Sequence, residues 1–119
     1  MSGTTIATDL RPYEQKKITA AEWHSYHTMI ASSLASSRRL NKSTQLESFT
    51  DSKTKSSIVF TTEEHAAHPA WVTTVITTEN NTLSIEVIGY YAGDQAAFNE
   101  LFTLYEVMAD RMRLKFKKN

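Results

Sequence analysis

Apolar and polar residues alternate with period two on both sides of Asn80-Asn81. The run from Trp71 to Gly93, WVTTVITTENNTLSIEVIGYYAG, therefore predicts two long strands joined by a two-residue turn. β-Branched and aromatic residues fill both arms, and asparagine tolerates the positive φ that such a turn requires. With Asn80 and Asn81 at the turn, Glu79 faces Thr82. One face then pairs Thr78 with Leu83, Ile76 with Ile85, Thr74 with Val87 and Val72 with Gly89. The opposite face pairs Thr77 with Ser84, Val75 with Glu86, Thr73 with Ile88 and Trp71 with Tyr90, because successive side chains alternate across a sheet. The first face reads as the core face. The second is polar near the turn and apolar at the open end, so it needs a cover: the chain itself, a second subunit or a ligand.

Two shorter segments continue the period-two pattern, TQLESFT over 44–50 and SSIVFTT over 56–62, separated by the polar turn DSKTK. Ile58 and Phe60 point one way and Val59 the other, while Leu46 and Phe49 fall on opposite faces. Connections this short predict an antiparallel meander, since parallel pairing needs a crossover of roughly a dozen residues or more.

Helical spacing governs the flanks. Thr19 and Glu22 spell a capping box, with Ile18 and Trp23 placed as a hydrophobic staple. Trp23, Tyr26, His27, Ile30, Leu34 and Ser37 then recur at three- and four-residue steps. Serines at 32, 33, 36 and 37 weaken the helix toward its end, and Asn41 is its expected stop after Arg38, Arg39 and Leu40. A last helix is expected after the cap Asp94, with a stripe of Phe98, Leu101, Phe102, Tyr105, Met108, Ala109, Met112 and Phe116, running to about residue 114. Period-two alternation in RMRLKFK leaves a terminal strand as the alternative there.

These elements predict an α+β domain over residues 18–119 in the order α-β-β-β-β-α: an antiparallel meander of about four strands with both helices packed mainly on one face. Residues 1–17 form an arm in which Thr4–Thr8 is a candidate edge strand and Pro12 argues against a helix. With 119 residues, 40% of them hydrophobic, the chain supports one core without metal or disulfide staples.

The absence of cysteine excludes disulfides, cysteine-ligated zinc and a thiol nucleophile. No apolar run approaches a membrane span, and the first twenty residues lack the apolar stretch of a signal peptide. A soluble protein is expected, with a cytoplasmic setting slightly favoured over a periplasmic or secreted one. The 28 Ser and Thr residues, an export-like bias, narrow that margin, as would a leader removed before numbering.

Formal net charge is zero, yet Arg111, Arg113, Lys115, Lys117 and Lys118 all follow the last acid, Asp110. Residues 1–110 hold the 13 acids against 8 Lys and Arg. Cations suit a helix C-terminus through the macrodipole. A nucleic-acid partner is not expected, because no second basic run with interleaved aromatics accompanies the tail.

The four histidines form two HxxH pairs, His24 with His27 and His65 with His68, with Glu63 and Glu64 beside the second. Helical zinc motifs place histidines four apart with a further ligand elsewhere, so no metal or other cofactor is expected. The three glycines form no phosphate loop, and no serine nucleophile motif is present.

The aromatic and apolar set Trp71, Val75, Ile88, Tyr90 and Tyr91 is thus the candidate binding surface. The expected function is a noncatalytic binding or assembly domain. It would use the apolar end of the second sheet face as a homodimer interface or as a groove for a small apolar ligand or peptide. The alternative is a small enzyme with a helix-lined cavity using His65, His68, Glu63 or Glu64.

Overall fold

Asn80 and Asn81 both adopt left-handed backbone, with φ of 50° and 65°, the geometry of a type I′ turn whose twist matches that of the flanking strands. The computed structural model describes residues 9–118, with side chains to 115. Around that turn, β4 (Ala70–Glu79) and β5 (Thr82–Tyr91) pair over their full lengths, with Trp71 opposite Tyr90, Val72 opposite Gly89 and Glu79 opposite Thr82. The hairpin register is the one the alternation predicts.

Three further strands complete a purely antiparallel sheet in sequence order: β1 (Arg39–Asn41), β2 (Leu46–Asp51) and β3 (Ser56–Thr61). Five strands form rather than four. The extra one arises because the first helix, α1, covers only Ala20–Ser33 and does not continue to Asn41. A single 3₁₀ turn, Ala35–Ser37, follows it. Ser37 explains the break: its hydroxyl donates to the Leu34 carbonyl at 2.7 Å and accepts the Thr50 N–H at 3.0 Å, competing with helical bonding and tying the segment to β2. Asn41 starts a turn instead of ending a helix, its Oδ1 accepting the N–H groups of Ser43 and Thr44.

The N-terminus of α1 follows the expected capping box. Thr19 Oγ1 accepts the Glu22 N–H at 3.1 Å and a Glu22 carboxylate oxygen accepts the Thr19 N–H at 2.9 Å. The final helix, α2 (Gln95–Lys118), starts where Asp94 accepts the Ala97 N–H at 2.8 Å and stays helical through the RMRLKFK segment. The side chain of Phe116 lies outside those described.

The two helices occupy opposite faces of the sheet, correcting the expectation that both lie mainly on one. Trp23, Tyr26 and Ile30 of α1 pack with Phe49, Ile58, Phe60, Trp71 and Tyr90. Phe98 and Leu101 of α2 pack with Ala70, Val72 and Tyr91. Consecutive residues such as Trp71 and Val72 point to opposite faces, so these two clusters are separate layers. The result is a three-layer α+β arrangement. The face read as secondary, with Trp71 and Tyr90, carries the larger aromatic core. Each helix can reach its face because both faces of β4 are apolar at the open end of the hairpin.

Candidate functional site

Of the sequence-predicted site residues, Trp71 is completely buried and Tyr90 nearly so. Tyr26 stacks on the Trp71 indole, and Tyr13 approaches it at a ring distance of 6.4 Å. The cover that this face needs is therefore supplied by α1 and the N-terminal arm. Tyr91 belongs to the other face, stacked on Phe98 of α2 at 4.8 Å. Val75 and Ile88 are half-buried. The structure thus divides the five residues between two faces, and Ile88 and Tyr90 line an open concavity.

That concavity is a groove of about 500 Å³ between the arm and β5, lined by Arg11 to Glu14 with Lys16 on one side and Glu86 to Tyr90 on the other. The arm is held by successive hydrogen bonds. Tyr26 Oη donates to the Asp9 carbonyl at 2.7 Å, and Tyr90 Oη donates to the Tyr13 carbonyl at 2.8 Å. Tyr91 donates its N–H to Lys16 and accepts that of Ile18, both at 2.9 Å. Residues 9–17 make one isolated parallel bridge, Lys17 with Tyr91, and no strand. The candidate edge strand Thr4–Thr8 lies outside the described residues. Arg11 pairs with Glu86 across the groove, and Lys16 Nζ lies 4.8 Å from the centre of the Phe102 ring, joining the arm to α2 around the sheet edge.

The backbone of β5 adds a second feature. β5 is an edge strand, and Tyr91 directs both its N–H and its C=O outward to the arm. Outward and inward residues alternate in an antiparallel ladder, so Gly89, Val87 and Ile85 face outward as well. Ile85 fits this parity, since its carbonyl accepts from Arg113 Nη2 of α2 at 2.5 Å. Between these two clasps, Val87 and Gly89 make no backbone hydrogen bond toward the edge among the described residues. The groove thus borders two peptide units without a backbone partner among the described residues, the Val87 unit half-buried and the Gly89 unit buried, flanked by the rings of Tyr13 and Tyr90 and by the Ile88 side chain.

The histidines are organised differently from their sequence spacing. His27 stacks on Trp23 with ring centroids 4.9 Å apart, while His24 and His68 meet the same indole edge-on at 5.2 and 5.0 Å. His27 Nε2 lies 2.6 Å from Glu47 Oε1, and Arg38 bonds the other oxygen of that carboxylate. Burial pushes the Glu47 carboxyl up, but the His27 and Arg38 hydrogen bonds outweigh it and hold the group below its ordinary value. Burial also lowers His68, whose Nδ1 lies 2.8 Å from the Thr61 hydroxyl, and His65, whose Nδ1 accepts the Ala67 N–H at 3.0 Å.

The loop residues Glu63 and Glu64 are exposed and line a shallow depression with Leu40, Lys42, Gln45 and Thr62, without a histidine. That depression brings Glu63 and Glu64 together without His65 or His68. Among the described residues no group of three His, Asp or Glu side chains is arranged to hold a metal ion, and no helix is long and apolar enough to cross a membrane. No protein-family model, curated protein or solved structure matches the chain.

The sequence reading missed Arg11, Tyr13 and Lys16 because the arm has no periodicity. Its local signals are Leu10 and Tyr13 on either side of Arg11-Pro12, the two residues of the segment that pack against the aromatic core.

Proposed function

We propose that this protein is a noncatalytic binding domain that takes an extended peptide segment as an added strand on the β5 edge, within the groove under the N-terminal arm. The observation carrying this reading is the pair of outward peptide units at Val87 and Gly89, which have no backbone partner among the described residues between the Tyr91 and Arg113 clasps, the half-buried Val87 unit being the more accessible of the two. An unpaired sheet edge is a template for another strand, with main-chain bonds supplying affinity and side-chain pockets supplying selectivity. Ile88 and Tyr13 offer an apolar surface for one ligand side chain, and the paired Arg11 and Glu86 neutralise each other at the rim. Selection by ligand shape and apolarity, rather than by net charge, is expected.

The test is selection of peptides from a random display library, followed by amide hydrogen exchange with the strongest binder. Protection concentrated at Val87 and Gly89 is the expected result. Val87→Pro removes one outward donor at a position where an edge strand tolerates proline, so it should lose the peptide while retaining cooperative unfolding. Peptides that bind Val87→Pro equally well, or that protect amides elsewhere, would overturn the reading.

A further inference from the structure

α2 is 24 residues long, about 36 Å at the usual rise per residue, and only part of its circumference meets the sheet. Phe98, Leu101 and Ala109 are buried. Beside them runs a second apolar strip with no cover among the described residues: Leu104 is 52% exposed, Val107 41%, Met108 45% and Leu114 61%. Leu104, Val107, Arg111 and Leu114 follow the three-four-three spacing of a helix–helix seam, with Met108 alongside. This spacing accounts for the exposure of Met108, assigned by periodicity to the sheet-facing stripe: it lies at that stripe's margin, on the side of the second strip, and Met112 is exposed as well.

Charge along the strip identifies the partner. Glu100 lies at its N-terminal end, Arg111 and Lys115 lie toward its C-terminal end, and all three are exposed. Two copies of α2 packed antiparallel across a two-fold axis between Val107 and Met108 would set Glu100 of each against Lys115 of the other, and Leu104 against Arg111. A parallel pair would oppose like charges at both ends. The antiparallel arrangement also aligns the helix dipoles favourably. A strip that is self-complementary only under a two-fold rotation fits an isologous interface.

We propose that this strip is a homodimer interface in which α2 packs antiparallel against α2 of a second copy, independently of the β5 groove. The chain contains no cysteine, so single-cysteine variants give an unambiguous readout. Met108→Cys should form a disulfide-linked dimer readily under mild oxidation. Leu104→Cys and Arg111→Cys should each crosslink poorly alone but efficiently when mixed, because that axis sets each of these strip positions opposite the other. Equal self-crosslinking of all three would indicate a parallel pair and overturn the arrangement.

Sedimentation equilibrium provides the second measurement. Met108→Glu should weaken dimerisation by on the order of a hundredfold, because each copy would bury an unpaired carboxylate at the centre of the interface. Its urea midpoint, measured on monomer, should stay close to that of the parent because the side chain is exposed. Lys115→Glu should weaken the dimer, and adding Glu100→Lys should restore it by exchanging the two charges. A parent protein that stays monomeric at its highest attainable concentration would overturn the proposal. So would a dimer indifferent to Met108→Glu.

Discussion

The ring of Tyr26 stacks on the indole of Trp71, centroids 4.3 Å apart and planes 16° from parallel. This contact joins α1 to the centre of the sheet and closes the apolar end of the face that the hairpin pattern leaves uncovered. Phe60 and Tyr90 meet the same indole at 5.6 and 5.0 Å. Trp71→Ala should therefore cost about 3–5 kcal/mol of folding stability, through lost burial and the cavity left behind. Urea unfolding would measure it; a loss under about 1 kcal/mol would contradict a core role for this residue.

Thr73 sits on the same face, completely buried, and its hydroxyl has no hydrogen-bond partner among the described residues. A buried polar atom without a partner loses its hydration and recovers nothing. Thr73→Val keeps the branched shape and removes the hydroxyl, so it should stabilise the fold by about 1 kcal/mol. A lower thermal midpoint for the variant would show that the hydroxyl has a compensating role.

Gly89 and Gly93 are required for space. A Cβ on Gly89 would lie 2.6 Å from Phe98 Cζ and 2.7 Å from Phe102 Cδ1, whereas one on Gly93 would lie 2.4 Å from the His68 carbonyl oxygen. Aromatic rings can shift at some cost, but a backbone carbonyl carries its whole loop with it. Gly89→Ala should destabilise by about 1–3 kcal/mol through overpacking, and Gly93→Ala should destabilise further. Chemical denaturation of the two variants side by side would test that order.

Stability should fall with acid in two stages. His65 and His68 have pKa values lowered by burial, so the unfolded chain binds their protons first as pH drops through about 6.5, and the native state loses ground until the folded values are passed. Glu47, also lowered, contributes stability that is present above its unfolded value near 4.5 and is lost as pH falls through the folded one. Urea midpoints between pH 7.5 and pH 3 should trace both steps. His68→Asn should reduce the upper step and Glu47→Gln the lower, and a midpoint flat between neutrality and pH 5 would count against the buried imidazoles.

At the start of α1, Thr19 and Glu22 satisfy each other's backbone donors. Removing the hydroxyl in Thr19→Ala should cost about 1 kcal/mol. Thr19→Ser keeps the acceptor and should recover most of that loss in the same thermal melt.

The sequence alone determined what depends on near neighbours along the chain. Asparagine at two consecutive positions made positive φ accessible, so the turn and the register of β4 on β5 followed. The Thr19–Glu22 cap and the Asp94 cap located two helix starts because each is satisfied within three residues. Tertiary structure decided what depends on distant partners. Ser37 could have stayed helical, but its bonds to Leu34 and Thr50 released Arg39–Asn41 to form β1. Periodicity marked an apolar face on each helix but carried no information about which sheet face would receive it, because both faces of β4 are apolar at the open end. The binding groove was the least legible feature. It arises where an aperiodic arm, held by the hydroxyls of Tyr26 and Tyr90, runs beside an edge strand, and no local pattern encodes hydrogen bonds between residues 17 and 77 positions apart.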